Sequence, residues 1–275
     1  MVSDVFAGQY RSVFKGQGME FEEVREYAPG DEIRSIDWNV TARMGYPFVK
    51  KFREERELTM MLMVDVSASQ QFGSSTQLKQ DLAAEIAAVL AFSAISNNDR
   101  VGLILFTDEV ELYVPPGKGV RHVLRLIREM LYFRPEHRKT RLEPAIDYLN
   151  HVTTRRTTTF LISDFIFDED IRSPLSITRR RHDLIGVLVG DKREIAWPRA
   201  GLVEWVDNES GESRLVDTSH AATRRLLEEE QTARRSELLA GLRRSGVDSI
   251  EVFAGEDYEK ELIRFFRMRE RRQRV

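Results

Sequence analysis

Two hydropathy regimes divide the chain, with the change at about residue 58. Residues 1–57 carry no sustained apolar period. They are polar, contain glycines and end in the charged run Lys50-Lys51-Phe52-Arg53-Glu54-Glu55-Arg56-Glu57. From residue 58 onward, short apolar runs alternate with stretches of helical period. Strands are predicted over 59–66, 101–106, 110–114, 157–162, 184–189 and 249–253. Helices are predicted over 78–95, with an Ala-rich face suited to close packing, and over 120–131, 141–150, 221–245 and 258–272. Asn97-Asn98-Asp99 breaks the first helix, and Pro115-Pro116-Gly117 closes the third strand. The segments 201–206 and 214–217 flank Asp207-Asn208-Glu209-Ser210-Gly211, which reads as an inserted β-hairpin over about 197–218. Strands alternating with helices imply crossover connections and an α/β, mostly parallel sheet covered on both faces. The expected organisation is an irregular extension over 1–57, packed on a six-stranded α/β domain over 58–275.

The first strand carries the chemistry. Met60-Met61-Leu62-Met63-Val64 runs straight into Asp65-Val66-Ser67-Ala68-Ser69, so one carboxylate and two hydroxyls share a strand end at alternate positions. Hard divalent cations take oxygen ligands and keep several waters, so this spacing reads as a cation cup with open positions. It also reads as a plain helix entry, where Ser and Asp are favoured caps. Two later residues reach the same edge of the sheet. Thr140 opens a helix, and Asp164 ends the fourth strand in Leu161-Ile162-Ser163-Asp164. In open α/β sheets ligands gather outside the carboxyl ends of the strands, near the point where strand order reverses.

Composition narrows the field of functions. The chain has 275 residues, enough for a large core, and a formal net charge of −3, which creates no general attraction to nucleic acid. It has no cysteine, which removes disulfides and thiolate metal sites. No apolar run approaches the ~20 residues of a membrane helix, and the N-terminus shows no signal-peptide pattern. A soluble cytoplasmic protein with no membrane span and no nucleic-acid partner is expected. None of the five histidines pairs with a Ser or Cys in a recognisable triad motif.

The order Asp-x-Ser-x-Ser, then a distant Thr, then an Asp at a strand end resembles the metal-ion-dependent adhesion site (MIDAS) of von Willebrand factor A-type domains. That resemblance implies a Rossmann-like, doubly wound form for the domain over 58–275. The resemblance implies that Ser67 and Ser69 bind Mg²⁺ directly, with Mn²⁺ or Ca²⁺ as alternatives. Thr140 would bind directly or through water, Asp65 and Asp164 largely through water, and a partner's carboxylate would fill a vacant position. One departure stands out: Thr140 lies in Arg138-Lys139-Thr140-Arg141, whose cations must point outward if an ion is to bind. Thr107-Asp108 is the reserve candidate.

The N-terminal segment narrows the resemblance. Val24-Arg25-Glu26-Tyr27-Ala28-Pro29-Gly30-Asp31 continues through Arg34, Asp37-Trp38 and Arg43, and looks like the signature of the family called domain of unknown function 58. Its members carry a von Willebrand A-like domain directly downstream. Read physically, Pro29-Gly30 sets a tight turn. Arg25, Arg34 and Arg43 with Asp31 and Asp37 are expected to form an ion-pair latch under Trp38. The Gly16-Gln17-Gly18 pair makes a poor phosphate loop.

The family resemblance implies a non-enzymatic, Mg²⁺-dependent protein-interaction module. It would be an adaptor or co-chaperone of a MoxR-type AAA+ ATPase, acting in the assembly or maturation of client proteins. The alternative is a metal-dependent, phosphatase-like hydrolase using Asp65. A haloacid-dehalogenase-type enzyme would want a second carboxylate where this chain has Ser67, and a positioned lysine for which no motif is evident. A third reading, surface binding through the arginines of 264–274, competes with plain complementation of a helix dipole.

Overall fold

The computed structural model describes residues 2–14, 18–55, 57–74, 77–167, 169–209 and 211–273. Gly16-Gln17, Arg56, Ser210 and Arg274 therefore lie outside the described residues. The chain divides into two compact units, Phe14–Leu58 and a larger one formed by Met1–Val13 with Thr59–Val275.

The smaller unit is not irregular. Strands β1 (Gly18–Glu26) and β2 (Phe48–Glu55) pair antiparallel. Between them Ala28–Asp31 forms a turn closed by the Asp31 amide on the Ala28 carbonyl at 3.0 Å. Gly30 takes φ +110°, which the Pro-Gly pair of such a turn provides without strain. The anticipated latch is rearranged. Arg25 grips Asp31 with two bonds of 2.7 and 2.8 Å. Asp37 instead caps helix α2 (Trp38–Met44) by accepting from the Asn39 and Val40 amides, and pairs with Lys50 at 3.3 Å. Arg34 and Arg43 are exposed, and Trp38 is 66% exposed, so no ion pair lies beneath a buried indole. Asp37 is worth more to its own helix, whose first amides lack partners, than to a distant arginine.

In the larger unit, α1 (Val2–Val13) packs on α3 (Lys79–Ser96) and α9 (Tyr258–Gln273), and its Tyr10 is fully buried. The central sheet holds β3 (Thr59–Asp65), β4 (Arg100–Phe106), β5 (Val110–Gly117), β6 (Thr158–Ser163), β7 (Asp183–Gly190) and β10 (Asp248–Phe253) in the order β10-β7-β6-β3-β4-β5. Counted along the sheet in chain order, this is the 3-2-1-4-5-6 doubly wound arrangement. Only β5 runs antiparallel, and as an edge strand it continues through Pro115-Pro116 to Gly117 rather than stopping before them. The doubly wound sheet expected from the von Willebrand A-type resemblance is present.

Alternation along β3 explains its two-sided burial. Met61 and Met63 join a core with Ile104, Phe106, Leu161 and Leu184, covered by α5 (Glu143–Val152), α6 (Arg172–Arg181) and α8 (Ala221–Arg244). The other face meets α3, whose buried Ala83, Ala84, Ala87, Ala91 and Ala94 let the helix approach closely. Helix α4 (Val120–Tyr132) packs beside α3. Short α7 (Lys192–Ile195) follows β7, and β8 (Leu202–Val206) with β9 (Ser213–Asp217) form the expected hairpin.

Phe265 and Phe266 of α9 are buried. Arg269 pairs with Asp183 at 2.7 Å and Asp248 at 3.2 Å, and Arg272 pairs with Asp248 at 2.8 Å. These arginines are committed to carboxylates of this chain, which weakens the surface-binding reading of the C-terminal helix. Among the described residues no helix is long and apolar enough to cross a membrane.

Candidate metal centre

Strand order reverses between β3 and β6, so the crevice outside their carboxyl ends is where a doubly wound sheet places a ligand. Asp65 ends β3, and Asp164 follows β6. Backbone bonds bring the Thr140 loop to the same edge. The Ala68 amide donates to Arg138 at 3.0 Å, and the Arg141 amide donates to Thr107 at 3.1 Å. Glu169, on the segment after Asp164, accepts from the Leu142 and Glu143 amides at 2.5 and 3.1 Å and so caps α5. The three segments that carry the anticipated oxygens are thus tied to one another. Asp65, Ser67 and Ser69 share one turn, Asp164 is near enough for its charge to act on Asp65, and backbone bonds hold the Thr140 loop to the same sheet edge.

Thr140 is 6% exposed, whereas Arg138, Lys139 and Arg141 around it are exposed. Arg141 turns toward Glu143 and Glu169. The flanking cations therefore point outward, and the hydroxyl alone faces in. The reserve residue is engaged elsewhere: Thr107 donates to Glu111 of β5 at 2.9 Å.

Asp65 is buried and organises its own turn. Its Oδ1 accepts from the Ser67 amide at 2.9 Å, and its Oδ2 accepts from Ser163 Oγ at 2.6 Å and Gln70 Nε2 at 3.4 Å. Burial, and next the charge of Asp164, push its carboxyl up to about 7, against the lowering effect of the Ser163 and Ser67 donors. The hydroxyls of Ser67 and Ser69 lie 3.1 Å apart.

Sequence reasoning missed two further members. Lys79, the first residue of α3, is fully buried, and its Nζ reaches Asp164 Oδ2 at 2.8 Å and Glu194 Oε1 at 2.6 Å. Burial works against its charge, but the two carboxylates more than offset it and raise its pKa. The loop before α3 is held by Asp191, which accepts from the Ser74 amide and hydroxyl at 2.7 and 2.6 Å. A lysine at the head of an Ala-rich buried helix was the available signal. The second member is Glu209, from the turn of the β8–β9 hairpin, which accepts from Thr140 Oγ1 at 2.5 Å.

Among the described residues no group of three or more His, Cys, Asp or Glu gathers as metal ligands, so a cation here must draw on hydroxyl oxygens. The donors present fit a hard cation. Octahedral Mg²⁺ at 2.0–2.1 Å from its ligands places adjacent ligands about 3.0 Å apart. Ser67 Oγ and Ser69 Oγ stand at that separation. Asp65 and Asp164 have oxygens already occupied by donors, which suits contact through water, and their mutual repulsion favours a positive charge between them.

Residues 23–237 match the family model "Protein of unknown function DUF58". The chain belongs to the DUF58 family. It is 31% identical over 269 residues to the uncharacterized protein Rv1480 of Mycobacterium tuberculosis, covering 97% of this chain and 84% of that one. Two crystal structures share the fold. One is the conserved hypothetical protein BatB from Bacteroides thetaiotaomicron, with a TM-score of 0.51, 12% identity, and coverage of 78% of this chain and 99% of BatB. The other is an aerotolerance-related membrane protein from Bacteroides fragilis, with a TM-score of 0.50, 14% identity, and coverage of 78% and 99%. At these identities the two structures speak to the DUF58 chain's fold alone.

Proposed function

We propose that this DUF58 protein is a non-enzymatic, Mg²⁺-dependent protein-interaction module that serves a MoxR-type AAA+ ATPase as adaptor or co-chaperone during client assembly or maturation. The observation that carries the cation half is the pair of seryl hydroxyls 3.1 Å apart at the switch point, on a turn bonded to the loop that carries buried Thr140. Ser67 and Ser69 would hold the ion directly, Thr140 directly or through water, and Asp65 and Asp164 through water. The ion would supply a positive charge able to accept a carboxylate from a partner. The ATPase half rests on the family resemblance.

The hydrolase reading now has the positioned lysine that the sequence did not reveal. That ammonium is closed to solvent and held by two carboxylates, so it is not offered to a substrate phosphate. Asp65 is likewise buried and occupied by donors at both oxygens. These contacts favour a binding role over a nucleophilic one.

The test is a pull-down from native extract with wild type and Ser67→Ala, each in Mg²⁺ and in EDTA, with identification by mass spectrometry. A AAA+ ATPase retained by wild type in Mg²⁺ only is the expected result. Recovery of the same proteins in all four samples would contradict the reading.

A further inference from the structure

The β8–β9 hairpin interrupts the alternation of strand and helix after β7, and the sheet does not need it. Its turn is internally ordered. The Asp207 amide donates to Glu212 at 2.8 Å, the Gly211 amide to Asp207 at 2.8 Å, and the Glu209 amide to Asp207 Oδ1 at 2.9 Å. The same turn delivers Glu209 to Thr140, 69 residues earlier in the chain. Thr140 is a buried hydroxyl in a row of exposed cations, so Glu209 bypasses Arg138, Lys139 and Arg141 to reach it.

That choice needs an explanation. A half-buried glutamate ordinarily pairs with a cation. Here it goes instead to a neutral hydroxyl on the loop that carries the anticipated ligand. A carboxylate is drawn into such a place when a cation belongs there. A hydroxyl can donate its proton and still offer lone pairs, so the bond from Thr140 to Glu209 is compatible with both oxygens facing one ion.

We propose that Glu209 is a built-in carboxylate ligand of the cation site, so that the hairpin insert occupies the position a partner's acidic side chain would take. The inference rests on the cation reading above. It adds one direct carboxylate to the hydroxyls of Ser67, Ser69 and Thr140. It also makes partner engagement an exchange: an incoming acidic residue displaces Glu209, and the insert moves away from the sheet edge.

The test uses the full chain with Mn²⁺ as probe ion, water-proton relaxation as the readout and acetate as the competing carboxylate. Wild type, Glu209→Gln and Glu209→Ala are compared, with matching melting curves as the check on folding. Both variants are expected to bind Mn²⁺ about three- to tenfold more weakly, the effect of losing one ligand. Relaxation enhancement per bound ion should rise, because water enters the freed position. Acetate should lower that enhancement in the variants and leave wild type unchanged. Equal affinity, enhancement and acetate response in all three proteins would overturn the role of Glu209 while leaving the cation site standing. Absence of Mn²⁺ binding by wild type would overturn the cation reading and this inference with it.

Discussion

Lys79→Met should destabilise the protein by about 3–5 kcal/mol, the cost of leaving a buried charge without its partner. Methionine keeps the length and apolar character of the stem, so packing is largely preserved and the loss reports the ammonium. That ammonium is the counter-charge within bonding distance of Asp164 Oδ2, whose side chain is 3% exposed. Removing it leaves the buried Asp164 without its counter-charge while its charge still acts on Asp65, and Glu194 loses the same partner. The double variant Lys79→Met, Asp164→Asn should recover much of the loss, because neither charge then remains stranded. Denaturant unfolding of the two variants and wild type checks both statements. A single-variant loss below about 1 kcal/mol, with no recovery in the double, would mean that the pair is unimportant to stability.

The second large effect concerns Asp65 and depends on pH. Its folded value of about 7 stands above the ordinary 3.8, so over that interval the folded protein holds a proton that the unfolded chain has lost. Stability from this group is therefore present at low pH and falls as pH rises toward 7. In EDTA at pH 8, Asp65→Asn should be more stable than wild type by about 2–4 kcal/mol, since a shift of one unit is worth 1.36 kcal/mol. The amide can still accept from Ser67, and the Ser163 hydroxyl can turn to accept from it. The advantage should vanish near pH 4, where both forms are neutral. With saturating Mg²⁺ at pH 8 most of that advantage should disappear, because the ion stabilises wild type by about 2.7 kcal/mol at a hundredfold excess over its dissociation constant and binds the variant more weakly. Unfolding curves for the two proteins that stay parallel from pH 4 to 8 would contradict this picture of Asp65.

Much of the larger unit was legible because its signals are local. Met60–Val64 is apolar at every position and so reads as a strand buried on both faces, and the oxygens that follow it mark its carboxyl end. Helix α6 was missed because only Leu175 and Thr178 of its ten residues are buried, and it ends in Arg179-Arg180-Arg181, which leaves almost no apolar stripe. The β1–β2 pair was missed for a related reason. Its strands carry Glu20, Glu23, Lys50 and Lys51, and they find each other across a long connection whose turn does not itself set the register. Trp38 looked like a buried anchor by residue type, yet it begins a seven-residue surface helix.

The site divides along the same line. Asp65, Ser67 and Ser69 lie in one stretch and could be read together. Thr140 and Asp164 needed the sheet edge to unite them. Lys79 and Glu209 have partners up to 115 residues away, and apart from the Ala-rich helix that Lys79 heads, the chain near them does not point to those partners. Only the order of strands and the fold of the insert bring such pairs into contact.

A divalent cation held by the oxygens at the β3–β6 switch point should be seen by calorimetric titration of Mg²⁺ into EDTA-stripped, dialysed protein, with the double variant Ser67→Ala, Ser69→Ala as the comparison. One site per chain in wild type and none in the variant, with unchanged far-ultraviolet circular dichroism in both, is the expected result. No binding by wild type, or equal binding by the double variant, would contradict the claim.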